Sequence, residues 1–283
     1  YGVYTHCAFW NFGPHLAPGT SPEKMYYNYS LCAEKGFKEY SVLNAANIRE
    51  FISEVAANAA MTWDFDGYNC REFYVNYYKN LYGDENAEEI WHENDKYYRS
   101  LAALSDDALK FFCRNGNFCY HRFENLRFHN FIANEGCITA YGLHLLRRIS
   151  GEDPKDYEIW IDNSELEKAI VRLDEVYNAL CEISVRNNKK HYQNVMKMYP
   201  QFMRNMYSWY LYVYNAKKAV AEGEIPRARG LLTSAVYYAE SVMALIKNAS
   251  YDKWANWYRG DNKIGINNII VKTRTVLEQI KKC

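Results

Sequence analysis

Two asparagine side chains stand where the stretch YSVLNAANIREF (40–51) changes character from strand to helix. Residues 40–45 have the composition of a short buried strand, and the chain from Ile48 onward has that of a helix. Asn44 and Asn47 lie between the two, and α/β proteins build their active sites at such turns. A side-chain amide carries both a donor and an acceptor, so this pair could bind a hydroxyl or a carboxylate. The turn is therefore the first candidate site.

A histidine and a tyrosine form a second candidate group in the strand-like stretch GVYTHCAFW (2–10). Tyr4 and His6 face the same side of the strand, because successive side chains alternate between its two faces. A lone histidine in an apolar strand is usually structural, so His6 is either a core residue or a hydrogen-bond donor at the end of the strand. Trp10 and Asn11 begin the loop that follows and could form the floor of a site.

A β-loop-α-β-α order within residues 1–65 positions these side chains. The Gly- and Pro-rich loop NFGPHLAPGTSPE (11–23) leads into a helix that is capped by Ser21 or by a Thr20–Glu23 capping box. Gly36 is a natural end for this helix. A crossover through the helix makes the two strands parallel, with a right-handed connection.

This α/β segment cannot be stable alone, because two parallel strands leave open sheet edges and a half-made core. A complete eightfold barrel takes about 250 residues, and only residues 1–65 show the pattern here. We therefore expect them to be the C-terminal βα units of a (β/α)8-like, TIM-type barrel, and the chain to be the C-terminal portion of a longer protein. The remainder of the barrel or a partner chain would cover the open sheet edge.

Residues 66–283 are predicted to form a second domain, an α-helical bundle. The stretch SELEKAIVRLDEVYNALCEISV (164–185) places Leu166, Ile170, Leu173 and Tyr177 on one stripe at helical spacing. Many of the 27 tyrosines occupy such helix faces, where their rings suit packing. The predicted fold class is mainly α: a short parallel β/α segment followed by an α-helical bundle.

Composition excludes several classes of partner. Lys and Arg number 34, as do Asp and Glu, so the formal net charge is zero and nothing favours nucleic acid. No apolar run approaches the roughly 20 residues of a membrane helix. The eight cysteines form no CxxC pair, which favours reduced thiols and a cytoplasmic protein. A secreted or periplasmic location follows instead if a leader once preceded Tyr1.

Two stretches invite interpretation as metal sites, and neither has the required spacing. The cysteines of CRNGNFCYHR (113–122) stand wider apart than the usual zinc pairs. HENDKYY (92–98) has Lys96 where the HExxH motif needs its second histidine. We predict no metal and no cofactor.

Residues 1–65 resemble glycoside hydrolase family 115, the xylan α-glucuronidases. That family has a Y-x-H strand, a G-P loop, a strand ending in N-V-G-D-I-K-P, and a helix ending in A-W-N. The corresponding stretches are YTH (4–6), FGP (12–14), NAANIRE (44–50) and MTWD (61–64), with no gap from 44 to 64. WANWYRGDNK (254–263) looks like the region that closes the helical bundle of that family.

The resemblance implies a glycoside hydrolase that removes (4-O-methyl)glucuronic acid from xylan-type glycans with inversion. Its sugar site would lie at the carboxyl ends of the barrel strands, and its partner would be a uronic-acid-bearing carbohydrate. The substrate-binding residues implied in this way are Tyr4, His6, Trp10, Asn11, Asn44, Asn47 and Arg49.

Departures from the family pattern concern catalysis. Asn47 stands where the family has Asp, and an amide cannot transfer a proton. Glycoside hydrolysis commonly needs two carboxyl groups, and residues 1–65 offer no convincing pair. Glu50 and Glu54 are one helical turn apart and expected to face solvent, and Asp64 is expected to cap a loop. We expect the catalytic pair to come from strands upstream of Tyr1.

Several alternatives remain open from the residues alone. Asn47 could serve as the N-cap of the helix that begins with Ile48. Arg49 could hold a carboxylate in its two-donor fork or form a surface ion pair. The whole chain could be a non-catalytic carbohydrate-binding relative, or a helical interaction module whose partner, or a second copy in a homodimer, buries the tyrosine-rich faces.

Overall fold

The computed structural model describes residues 1–8, 15–45, 47–103, 132–152, 161–259 and 264–280. Within these ranges the protein is mainly α, as predicted, with one short two-stranded parallel sheet. Trp10 and Asn11, as well as the stretch 113–122, lie outside the described residues.

The sheet pairs β1 (Val3–His6) with β2 (Ser41–Asn44) in parallel, as expected. His6 lies directly opposite Asn44, so both candidate residues end their strands side by side. The crossover is α1 (Pro22–Glu34), and the Ser21 side chain caps it by accepting from the Lys24 amide. After α1, Gly36 adopts a φ of 76°, a left-handed conformation that glycine tolerates best.

The helix after β2 begins later than the sequence predicted. Residues 47–51 form a turn in which the Asn47 carbonyl accepts from the amides of Glu50 and Phe51. The helix α2 spans Ile52–Trp63, and Phe51 occupies its cap position. The prediction that Asn47 caps this helix was therefore wrong. At its far end the Asp64 carboxylate accepts from the Gly67 amide, so Asp64 caps a loop as expected.

Seven further helices are described beyond the α/β segment. They are α3 (Cys70–Tyr82), α4 (Ala87–Ser100), α5 (Glu135–Ile149), α6 (Asn163–Glu182), α7 (Met198–Ala221), α8 (Ile225–Ala249) and α9 (Ile266–Ile280). A short helical turn, Lys189–His191, and a π-helical turn, Tyr192–Met196, lead into α7. None of the helices within the described ranges is long and apolar enough to cross a membrane.

Helix α7 forms the centre of the bundle and packs against α5, α6 and α8. Its aromatic stretch is largely buried, and the Trp209 ring is fully buried. The indole nitrogen of Trp209 donates to Thr273 Oγ1 on α9 at 3.1 Å. Gly142 on α5 packs so closely against this indole that a Cβ atom there would clash with it. Close volume matching around one large ring therefore holds three helices together.

Candidate functional site

The rim of the sheet, formed by Tyr4, His6 and Asn44, carries three polar side chains at the carboxyl ends of the strands. Asn44 Nδ2 lies 3.2 Å from His6 Nδ1, and the two rings of Tyr4 and His6 have centroids 4.5 Å apart. His6 and Asn44 are half-buried, whereas Tyr4 is exposed. Burial lowers the pKa of His6, so the neutral imidazole prevails near pH 7. The rim thus presents an imidazole, an amide and a phenol at the edge of the solvent.

The loop after β1 is held by side chains from three distant parts of the chain, of which Glu135 and Tyr97 are buried and Asn47 is half-buried. Glu135 Oε1 accepts from three consecutive backbone amides, those of His15 (2.5 Å), Leu16 (2.6 Å) and Ala17 (3.2 Å). Asn47 Nδ2 donates to the His15 carbonyl at 2.6 Å. The Tyr97 hydroxyl donates to the Pro18 carbonyl at 2.7 Å. The segment 15–18, which follows the first strand, is therefore fastened along its whole length.

Glu135 was not among the residues singled out from the sequence. It begins helix α5, directly after the capping residue Asn134. Its distance along the chain from His15 is 120 residues, so no local pattern connects the two. Burial raises the pKa of the Glu135 carboxyl to about 7, although the three backbone donors favour the charged form. The acidic residue in the first turn of a helix was its only signal in the sequence.

Glu50 and Glu54 are buried, contrary to the expectation that they face solvent. Glu54 accepts from the Tyr98 hydroxyl and from the Ser53 hydroxyl, both at 2.8 Å. Burial raises the pKa of both glutamates. The expectation failed because the turn at 47–51 delays the start of α2, and α4 and the chain after α8 then cover this face.

The Glu50 carboxylate accepts from the Trp257 indole nitrogen at 3.1 Å and from the Tyr258 hydroxyl at 2.5 Å. Arg49 is also buried, only 4% exposed, so the expected surface ion pair was wrong. Its Nη1 donates to the Ala249 carbonyl at 2.8 Å and to the Tyr258 hydroxyl at 3.4 Å. The stretch WANWYR, noted in the sequence at 254–259, therefore packs on the turn that follows β2.

Aromatic rings surround the Arg49 guanidinium. Its central carbon lies 4.8 Å from the ring centre of Trp254, 5.2 Å from that of Tyr251 and 5.7 Å from that of Tyr258. Such contacts stabilise a cation over the faces of the rings. Asn47 and Arg49 thus make their contacts away from the rim, with the loop after β1 and with the bundle respectively.

The rim groups can exchange hydrogen bonds with hydroxyls, but imidazole, amide and phenol do not supply two carboxyl groups for glycoside hydrolysis. The buried carboxyl groups of Glu50, Glu54 and Glu135 each fasten a neighbouring element instead. Within the described ranges, no group of three His, Cys, Asp or Glu side chains is placed to hold a metal ion.

Comparison with protein families identifies the α/β segment. Residues 1–107 match the sequence model of glycosyl hydrolase family 115. This part of the chain is similar to that family. The family-115 segment includes the α/β part together with α3 and α4, and the resemblance recognised from residues 1–65 is confirmed. A search of curated proteins found no match to the chain.

The family-115 segment contains every predicted site residue, namely Tyr4, His6, Trp10, Asn11, Asn44, Asn47 and Arg49. The groups that hold its loops come largely from the rest of the chain: Glu135 contacts the loop after β1, and Ala249 and Tyr258 contact Arg49. The bundle therefore orients the carboxyl ends of the strands. Whether each predicted residue contacts a sugar stays a prediction.

Proposed function

We propose that the rim binds a uronic-acid-bearing glycan of the xylan type. The family-115 segment would contribute this binding surface to the removal of (4-O-methyl)glucuronic acid, with inversion. The observation that carries the proposal is the side-by-side placement of His6 and Asn44 at the carboxyl ends of two parallel strands in a segment that is similar to this hydrolase family. In β/α barrels, substrate sites lie at that end of the strands.

Hydrogen-bond chemistry supports a sugar ligand at this rim. The Asn44 amide has one acceptor and two donor hydrogens, so it can bind a hydroxyl while it contacts His6. The exposed ring of Tyr4, which lies against the His6 ring, offers an apolar face next to these polar groups. Inverting hydrolysis needs an acid and a base about 6.5–9.5 Å apart, with a water between them. In this proposal the remainder of the barrel or a partner chain supplies both, and covers the open edges of β1 and β2.

A binding experiment tests the proposal. Xylotriose that carries 4-O-methylglucuronic acid and unsubstituted xylotriose are titrated into the full chain, with calorimetry as the readout. We expect the substituted sugar to bind more tightly, and Asn44→Ala to weaken its binding about tenfold through the loss of one hydrogen bond to a ligand. Asn80→Ala on the exposed face of α3 is the matched control. Equal affinity for the two sugars, or unchanged binding by Asn44→Ala, would contradict the proposal.

A non-catalytic carbohydrate-binding role is the second candidate, and Asn47 favours it. Its amide nitrogen donates to the His15 carbonyl, a contact that an aspartate could not make. Residue 47 therefore fastens a loop where the family pattern has an acid. Release of uronic acid from 4-O-methylglucuronoxylan, measured with this chain alone and together with the catalytic portion that the first candidate requires, separates the candidates. Binding of the glycan without release in both measurements would favour the second.

A further inference from the structure

The guanidinium of Arg49 has one edge that is bonded and one edge that is not. Nη1 donates to the Ala249 carbonyl and the Tyr258 hydroxyl. Nε and Nη2 are both buried and have no hydrogen-bond partner among the residues that the structure describes. These two nitrogens lie on the same side of a guanidinium and form the parallel two-donor fork with which arginine binds carboxylates. Buried donors without partners are rare in folded proteins and often indicate a functional role.

Within the described ranges, the neighbouring carboxylates bind other partners. Glu50, the next residue in the chain, gives its carboxylate to Trp257 and Tyr258. Asp252 pairs with Lys190, whose ammonium lies 4.6 Å from the ring centre of Tyr251. The C-terminal carbonyl of α8, at Ala249, is already bonded to Nη1 on the other side of the guanidinium. The fork therefore keeps its binding capacity in the folded chain.

The walls around Arg49 favour a flat ligand with a single negative charge. The rings of Tyr251, Trp254 and Tyr258 lie within 6 Å of the guanidinium carbon, and all three residues are only half-buried. The rings that surround the guanidinium are therefore themselves partly exposed to solvent. A carboxylate is planar, so it can lie in the guanidinium plane between the ring faces and accept from both donors; a phosphate can use the same fork but is tetrahedral and bulkier.

The imidazole of His191, which also lies near Arg49, does not add a second positive charge. Burial and then the charge of Arg49 lower the pKa of His191 to about 4, so it is neutral near pH 7. Its Nδ1 lies 2.8 Å from the Tyr82 hydroxyl. One cation with a free fork, flanked by a neutral imidazole, matches one monoanion.

We propose that the free Nε/Nη2 edge of Arg49, within the ring cage of Tyr251, Trp254 and Tyr258, is a binding site for a carboxylate group. The site is built jointly by the turn after β2 and the chain after α8. It does not depend on the proposed sugar site, because Arg49 makes its contacts with the bundle and not at the rim. The carboxylate could belong to a small free acid or to a uronic acid, and the arms of the experiment distinguish these sources.

Arginine Nε–H resonances of the full chain, labelled with ¹⁵N-arginine, report directly on the fork. The chain is titrated with sodium acetate against sodium chloride at equal ionic strength, and with sodium glucuronate, sodium phosphate and glucose as further arms. We expect acetate and glucuronate, but not glucose, to shift the Arg49 resonance in a saturable way. A half-saturating concentration lower for glucuronate than for acetate identifies a uronic acid as the ligand; equal values identify small carboxylates in general.

Arg229 is a control within the same spectrum. Its Nε and Nη2 both donate to the Ile280 carbonyl, so the same edge is already bonded and its resonance should not move. The variant Arg49→Lys keeps the positive charge but loses the fork. The indole N–H resonance of Trp254 then serves as the readout. We expect the variant to bind acetate at least about tenfold more weakly than the wild type. Dispersed amide resonances verify that the variant is folded. If the variant does not fold, the wild-type titration with Arg229 as the internal control remains the test.

Three results would overturn the carboxylate site: an Arg49 resonance that stays in place throughout the acetate titration, equal movement of Arg49 and Arg229, or a stronger response to phosphate than to acetate. The proposed sugar site fails independently. If acetate shifts Arg49 while substituted xylotriose leaves the His6 resonances unchanged, the carboxylate site stands and the sugar site at the rim does not.

Discussion

The helical bundle and its junction with the α/β segment are held together by different kinds of contact. In the bundle, apolar side chains such as Leu173, Val213 and Leu232 are fully buried, as is the indole of Trp209. At the junction, by contrast, buried charged residues make directional hydrogen bonds between the α/β segment and the helices and turns packed against it. These residues are Arg49, Glu50, Glu54 and Glu135.

The difference teaches how a helical domain can orient a site that it does not itself carry. Apolar packing is non-directional, so it stabilises the bundle but specifies loop positions only weakly. Hydrogen bonds to buried carboxylates have strict geometry and lose energy steeply when a loop shifts. The junction therefore fixes the position of the loops beside the rim, and the bundle supplies the stability that this polar burial requires.

The largest effect is expected in the bundle. Trp209→Ala removes a fully buried indole between three helices, so the free energy of unfolding should fall by about 3–5 kcal/mol. Urea denaturation monitored by circular dichroism measures the loss. Trp209→Phe retains much of the side-chain volume, so its loss in the free energy of unfolding should be clearly smaller. A loss below about 1 kcal/mol for the alanine variant, the size of an average substitution, would break the contrast between bundle and junction.

Glu135 should make the junction sensitive to pH. Burial raises the pKa of its carboxyl to about 7, against 4.5 in the unfolded chain. Between these values the folded protein keeps a proton that the unfolded chain has released. The free energy of unfolding therefore falls as the pH rises from about 4.5 to about 7, by about 3 kcal/mol from this group. Urea denaturation at a series of pH values across this window measures the decrease in the free energy of unfolding.

The control for this pH dependence is Glu135→Gln. Glutamine retains an oxygen that can accept from the amides of residues 15–17 but does not titrate. Glu50 and Glu54, whose pKa values burial also raises, contribute in the same direction in both proteins. The difference between the free energies of unfolding of wild type and variant thus isolates the contribution of Glu135. If the two plots of this free energy against pH run parallel, the Glu135 carboxyl does not titrate in this window.

Asn47→Asp is expected to have an intermediate effect. The substitution introduces the residue of the family pattern but replaces the donor to the His15 carbonyl by a carboxylate oxygen. A buried carbonyl without its donor costs about 1–3 kcal/mol, and repulsion between the two oxygens adds to this cost. Faster hydrogen exchange at residues 15–17, with unchanged exchange in α7, is the expected signature. Protection equal to that of the wild type at both places would show that Asn47 does not fasten the loop.

The smallest change in stability is expected at the rim. Asn44 is half-buried and its side chain contacts His6 across the sheet edge, so Asn44→Ala should change the free energy of unfolding by no more than about 1 kcal/mol. Thermal unfolding of the variant and of the wild type under the same conditions measures this change in stability. A loss as large as that of Trp209→Ala would mean that the rim is part of the structural core and would remove the contrast with the junction.

Much of the fold could be predicted because its signals are local. The Ser21 cap, the end of α1 near Gly36 and the parallel crossover follow from short-range residue types and chain handedness, and all are confirmed. Tyrosine-rich helix faces were likewise expected to pack, and the aromatic face of α7 is buried. The delayed start of α2 was missed because hydrogen bonds of the turn at 47–51 outweigh the helical pattern of the residues.

Parts of the candidate site could not be predicted because their partners are remote in the chain. Tyr258 is 208 residues from Glu50, and Glu135 is 120 residues from His15. A glutamate one turn away from another is ordinarily solvent-facing. Only the packing of distant segments turned Glu50 and Glu54 into buried acceptors and Arg49 into a caged cation.

The amino-acid sequence by itself determined the parallel strand pair, the helical character of the rest and the family resemblance of residues 1–107, because periodicity, caps and motif order are properties of neighbouring residues. The tertiary structure alone decided which polar groups meet. It placed Asn44 beside His6, fastened the loop after β1 to Glu135, and left one edge of Arg49 unbonded. Burial and hydrogen bonding depend on what the folded chain brings together, and no local pattern encodes that.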